Sequence, residues 1–201
     1  MQGLWDGAAD PESRYARQVL TAYAAARMPV SGDYAKELPD LIASMLTAGL
    51  DQNALKWAQE ADAGSLAWGM LALAAPQRAQ PVDGGALNSF YGNDPSDGYR
   101  KSQFLLAGLA GLGRVDDAAA KDFADKLDID LGRQTAWTRL IERAADLNNA
   151  ELVALLAGLG MQGDSWEKMT PLHLYHIVAT LNRVGLGAEA RMIAAEAVAR
   201  G

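Results

Sequence analysis

The links between apolar segments constrain this chain more than anything else in it. Beyond residue 98, segments with apolar residues at helical spacing are joined by short connections that carry Gly113, Gly132, Gly158 with Gly160, and Gly185 with Gly187. A glycine just past a helical segment supplies the left-handed backbone that stops a helix. A link of a few residues then obliges the next helix to run back antiparallel. The chain therefore reads as αα-hairpins, with helices at about 99–112, 116–127, 134–148, 150–159, 170–184 and 188–199.

The first part of the chain carries start signals of the same kind. Asp10-Pro11-Glu12 combines an N-cap, a first-turn proline and a first-turn acid, and opens a helix to about residue 28 with Val19, Tyr23 and Ala26 near one face. Pro29 ends it. A second helix takes Pro39 in its first turn, carries Leu41, Ile42, Met45 and Leu46, and stops at Gly49. Asp51 caps a third through Trp57, and Gly64-Ser65 opens a fourth with Leu66, Met70, Leu71 and Leu73, closed by Pro76. Trp57, Trp68 and Trp137 fall on apolar helix faces and read as core, with Trp5 and Trp166 left open.

Thr170-Pro171 repeats the cap-then-proline signal, and the helix behind it has two apolar sides. Leu174, Ile177, Val178 and Leu181 form one stripe; Leu172, Tyr175 and Ala179 form another, with His173, His176, Thr180 and Arg183 between. Such a helix must lie between neighbours. Alanine makes up about a fifth of the 201 residues, valine and isoleucine are sparse, and no alternating apolar run suggests a strand. The expectation is an all-α fold of about ten helices, in antiparallel pairs stacked as an α-α superhelix or packed as an irregular bundle.

Between residues 77 and 97 the periodicity fails. Pro81, Gly84-Gly85, Gly92-Asn93-Asp94-Pro95 and Asp97-Gly98 crowd this stretch with turn chemistry. The organisation expected is thus N-terminal hairpins over 1–76, a long turn-rich connection over 77–97 and C-terminal hairpins over 98–201, in one continuous domain that can be the C-terminal part of a longer protein.

Three hairpins look alike. Gly49-Leu50-Asp51-Gln52-Asn53-Ala54-Leu55 leads into Trp57-Ala58-Gln59-Glu60-Ala61, and Gly185-Leu186-Gly187-Ala188-Glu189-Ala190-Arg191 into Ile193-Ala194-Ala195-Glu196-Ala197. Gly113-Arg114-Val115-Asp116-Asp117 is a poorer version. Gly49 and Gly185 stand 136 positions apart, about four periods of a roughly 34-residue helix pair. On these residues the chain resembles the tetratricopeptide-like α-solenoid superfamily, although the Trp-x-x-Leu-Gly-x-x-Tyr opening of that family is missing and the 113 hairpin falls off the register. The resemblance implies stacked helix pairs that present a concave surface to a peptide or protein partner.

Composition removes whole classes of function. A net charge of −7, with no run of lysine and arginine, argues against nucleic-acid binding. With no cysteine, thiol catalysis, disulfides and cysteine-ligated zinc are excluded. No stretch is long and apolar enough for a membrane span, and the start lacks a signal-peptide pattern, so the expected location is cytoplasmic, with a periplasmic fragment cut from its upstream signal as the alternative.

No catalytic motif and no cofactor fingerprint stands out. Gly108-Leu109-Ala110-Gly111-Leu112-Gly113 has no preceding strand and no following Lys-Ser/Thr, so its glycines read as close helix contacts and a cap. The aspartates from Asp116 to Asp130 miss the calcium-loop register and read as a solvated face. His173 and His176 are the metal-ligand candidates, neighbours on a helix with Asp164 or Glu167 able to approach, but without the His-Glu-x-x-His pattern.

Phe90, Tyr91, Tyr99 and Arg100, in or just after the turn-rich stretch with Asn88, Asn93 and Asp94, have the composition of an interface anchor or a ligand lid, the alternative being that Phe90 and Tyr91 pin the loop onto the helices. The expected function is a non-enzymatic helical-repeat module for a protein or peptide partner. The alternative is a small-molecule or lipid-binding helical domain, including an enzyme without a recognisable motif.

Overall fold

The computed structural model describes residues 2–8, 10–76, 80–163 and 165–201. Their regular structure is helical, apart from one bridge between Val82 and Val115. In chain order the helices are α1 (Gln2–Asp6), α2 (Pro11–Ala25), α3 (Leu38–Thr47), α4 (Asp51–Ala54), α5 (Leu66–Ala74), α6 (Gly84–Gly92), α7 (Arg100–Gly111), α8 (Asp117–Lys126), α9 (Ala136–Asp146), α10 (Ala150–Gly160), α11 (Pro171–Arg183) and α12 (Gly187–Arg200). Single 3-10 turns cover Gly32–Tyr34, Leu55–Trp57, Asp97–Tyr99 and Trp166–Lys168. Among the described residues no helix is long and apolar enough to cross a membrane.

Starts and stops follow local chemistry. Asp10, Ser65, Asp116, Thr135, Asn149 and Thr170 each accept a hydrogen bond from a backbone N–H in the first turn of the helix they open. Gly49, Gly113 and Gly185 take positive φ. The residue after each donates back into the helix it closes: Leu50 to the Met45 carbonyl, Arg114 to Leu109 and Leu186 to Leu181, at 2.9, 2.8 and 2.9 Å. Asp128 and Asn148 do the same without glycine, at φ 53 and 52. Leu50 and Leu186 share φ −87, with ψ 49 and 47. The likeness of their two hairpins is therefore one turn geometry used twice. Leu50, rather than Asp51, occupies the cap of α4, and the Asp51 carboxylate reaches Arg191 of α12 at 3.4 Å.

Helix α12 ties the chain together. It packs on α3 and α5 from the first half and on α7 and α11 from the second. Helix α11 in turn touches α7, α12, α9 and α10, which accounts for its two apolar sides. Leu41, Ile42, Leu73, Phe104, Leu109 and Ile177 belong to one continuous buried cluster. Glycine sets how closely α7 approaches its neighbours. A methyl group on Gly108 would lie 2.8 Å from Leu73 Cδ2, and one on Gly111 would lie 2.9 Å from Val178 Cγ1 and 3.0 Å from the Tyr175 carbonyl. The stretch from Gly108 to Gly113 thus provides two close crossings and a helix stop.

Three further expectations change. The buried face of α2 is Gln18, Ala22 and Ala25, while Val19 and Tyr23 point outward, because α3 covers the small-residue side. Trp5 and Trp57 are enclosed, whereas Trp68 and Trp137 are only partly covered. The stretch from 77 to 97 is not a continuous loop. Residues 77–79 lie outside the described residues, but Asp83 caps α6, which buries Leu87 and Phe90. Two glycines at its start disguise it.

Arg114 closes the end of α5. Its Nη1 donates to the carbonyls of Ala72 and Leu73 at 2.7 and 2.8 Å, and Nη2 donates to Ala75. The carbonyl of Arg114 accepts from Val82 N at 2.7 Å. Arg114→Met keeps the apolar stem and strips the donors, so it is expected to lower the unfolding free energy by about 3 kcal/mol in a urea titration. Gly111→Ala is expected to cost about 1–3 kcal/mol through overpacking against α11, while the same change at the open Gly158 should be neutral or stabilising.

Candidate functional site

The end of α6, the turn behind it and the last turn of α8 meet in an aromatic corner. Asp94 organises the turn. One carboxylate oxygen accepts from Ser96 N at 2.9 Å, and the other accepts from Ser102 N at 2.8 Å and the Ser102 hydroxyl at 2.7 Å. That fixes the start of α7 from eight residues away. Gly98 and Tyr99 then take left-handed backbone in succession, at φ 63 and 56, which folds Tyr99 back onto Tyr91. Their ring centroids lie 4.2 Å apart with planes 26° from parallel. Phe123 of α8 meets Tyr91 edge-on at 6.2 Å.

The Lys126 ammonium sits 4.0 Å from the Tyr91 ring centroid and donates to Asn88 Oδ1 at 2.6 Å. Hydrogen bonding to Tyr99, followed by desolvation, raises the Tyr91 phenol above its ordinary value. A depression of about 340 Å³ beside the rings is lined by Gly84, Asn88, Ala119, Asp122, Phe123 and Lys126. Asp122 and Lys126 are the charged residues of its lining; along the whole exposed side of α8, Asp116, Asp117, Asp122 and Asp125 outnumber Lys121 and Lys126.

Of the four residues expected to anchor a partner, Tyr91 and Tyr99 come together at the surface. Phe90 does not join them. It is buried, with its ring 6.5 Å from Trp68 and fitted against Gly69, because α6 turns that side toward α5. Arg100 is committed elsewhere: it donates to the carbonyls of Trp166 and Met169 at 2.8 and 2.7 Å and lies over Phe104, pinning the segment before α11 to α7. Both are corrections, since burial and backbone carbonyls take up the groups a partner would need. Asn93 likewise serves the fold, donating to Gly64 O at 3.3 Å.

Each histidine serves as a contact between neighbouring elements. Thr170 Oγ1 lies 2.7 Å from His173 Nδ1, and the His173 ring packs 4.9 Å from Trp137. His176 is buried on α11 with Nδ1 2.9 Å from Glu142 Oε1 of α9, while its Nε2 is enclosed without a partner. Burial pushes both imidazoles below their ordinary range; for His176 it outweighs the opposing pull of Glu142, so the ring is neutral and donates Nδ1–H to the carboxylate. Asp164 lies outside the described residues, as does the side chain of Glu167. Among the described residues no three His, Asp or Glu side chains are placed to hold a metal ion.

Two features have no counterpart among the residues expected from the sequence. A cleft of about 540 Å³ opens between α2, α3, α7 and α12, lined by Trp5, Tyr15, Gln18 and Met70 among others. Its cations are engaged internally. Arg14 pairs with Asp40 at 2.7 Å, Arg200 pairs with Glu196 at 2.7 Å and covers Tyr15, and Lys101 caps α12 through the carbonyls of Val198 and Ala199, its pKa lowered by burial. These residues are scattered from 5 to 200, so no local pattern marks them.

The second is a set of leucines left facing solvent on α9 and α10, including Leu155 at 70% exposure. Here a signal existed. Helix α10 has Glu151 as its one charged residue, and a helix apolar all round is normally enclosed. No family model matches the chain, nor does any curated protein or solved structure.

The histidines set a pH dependence. With folded-state pKa values below the ordinary 6.5, the unfolded chain takes up protons first. Stability from these groups is therefore complete above about pH 6.5 and is lost as pH falls below it. The melting temperature should drop between about pH 7 and pH 5, and His176→Gln should flatten that slope. An unchanged slope would place the titrating group elsewhere.

Proposed function

We propose that the protein is a non-enzymatic interaction module that receives a basic segment of a protein partner on the Tyr91–Tyr99 corner. The observation that carries this reading is Tyr99 itself. A bulky residue at φ 56 costs on the order of 1–2 kcal/mol, yet 43% of Tyr99 faces solvent, so core packing does not account for it. Strain retained at an exposed aromatic is a mark of function.

The partner's charge is read from the surroundings. The Tyr91 face already carries an ammonium group in Lys126, four exposed aspartates outnumber two lysines along α8, and the whole chain bears −7. Lysine or arginine side chains are what such a face attracts. A helical-repeat, tetratricopeptide-like scaffold and a cytoplasmic setting belong to the same proposal, as does the absence of nucleic acid among its partners. A small-molecule reading draws on the 540 Å³ cleft, but the internal pairing of its cations leaves it second.

Tyr99→Gly removes the strain and one ring together. It is expected to hold or raise the melting temperature, while Tyr91→Ala with Tyr99→Gly weakens binding of Lys/Arg-rich peptides by about tenfold or more. Fluorescence titration against basic, acidic and neutral peptides reads this out. Equal affinity for wild type and the double variant, or a preference for acidic peptides, would sink the reading.

A further inference from the structure

The outer face of the α9–α10 hairpin has no role in the corner described above. Leu140 and Leu147 lie seven residues apart along α9 and its turn, Leu155 and Leu159 lie four apart on α10, and all four are between 52% and 70% exposed. Those spacings bring each pair to one side of its helix. Together they present on the order of 400 Å² of leucine surface, the scale of the largest apolar patches on folded chains, with the exposed Arg143 between Leu140 and Leu147. We infer that this face pairs two copies of the chain, antiparallel about a twofold axis through α10. The inference does not rest on the proposed partner site.

Area is the first argument. Two such faces bring together about 800 Å² of leucine surface, close to the apolar share of a standard interface of roughly 1,600 Å². Shape is the second. A twofold contact needs a surface that complements itself, and α10 carries both halves of the fit: Leu155 and Leu159 project while Ala154 and Gly158 beside them are exposed and small. A methyl group built on Gly158 meets nothing within 4 Å, so the recess is open.

Charge selects the direction. Trp137, in the first turn of α9, donates Nε1–H to the Leu156 carbonyl at 3.3 Å and packs against Gly160, so the start of α9 lies beside the end of α10. The hairpin is therefore basic at its open end, where Arg133 and Arg139 are exposed. At its turn Asp146 pairs with Arg183 and the exposed Arg143 and Glu151 offset one another, so the excess charge is the positive one at the open end. Antiparallel pairing sets Glu151 of one copy near Arg139 of the other, twice; parallel pairing would oppose like charges. The exposed face of α2, with Leu20 at 83% and Tyr23 at 69%, is the rival occupant, since α2 on α10 would give an open chain of copies.

Sedimentation velocity of the full chain over a wide concentration range tests this. The wild type should be a dimer whose melting temperature rises with protein concentration, and Leu155→Glu with Leu159→Glu should be a monomer with unchanged helicity and a melting temperature independent of concentration. Glu151→Arg should weaken the dimer by about tenfold, and adding Arg139→Glu should restore it. A monomeric wild type, a dimer indifferent to the leucine changes, or a ladder of higher species each overturns the inference.

Discussion

The guanidinium of Arg114 is the contact on which the meeting of the two halves depends. Helix α5 ends inside the molecule, where its last carbonyls have no following turn to accept from, and water is excluded. Three of them find donors on one side chain, reached from the far end of α7. The backbone of that residue also holds Val82, and the preceding glycine stops α7. Stopping one helix, capping a second and anchoring the approach to α6 thus fall within two consecutive residues.

Cations serve carbonyls in the same way at the other end of α7. Arg100 and Lys101 stand in its first turn, where the helix dipole disfavours positive charge. Asp94 offsets this by accepting from Ser102 N and the Ser102 hydroxyl. Freed from their own helix, Arg100 holds the segment before α11 and Lys101 caps α12.

What could be read from the sequence was what is decided within a few residues. Asp10, Ser65 and Thr170 accept from N–H groups in the next turn, and Gly49, Gly113 and Gly185 act on the turn before them, so these helix boundaries were legible. Helix α6 was not, because Gly84 and Gly85 lower its propensity and it exists by burying Leu87 and Phe90 against distant partners. The Phe90 ring fits because Gly69 makes room for it, and Gly64 leaves space for Ser89 and the Phe90 backbone, conditions set more than twenty residues upstream.

Arg100 was misread for the same reason: its acceptors lie 66 and 69 residues away. Tyr91 and Tyr99 were grouped by proximity in the chain, and two left-handed residues do unite them. The leucines of α10 showed a helix that wants cover without showing whether the cover comes from its own chain.

The central position of α12 has a consequence for how the molecule is made. Helices α3 and α5 are complete by residue 74, but the helix that covers them begins at Gly187. At roughly 5–20 residues per second a ribosome takes on the order of ten seconds to cross that interval. Throughout it Met70 and Leu73, which lie near Met192 and Ala194 in the folded chain, have no lasting partner on that side. Closure is thus a long-range event that follows synthesis of α12 rather than accompanying it. The small, alanine-rich face of α12 suits late insertion beside helices already formed.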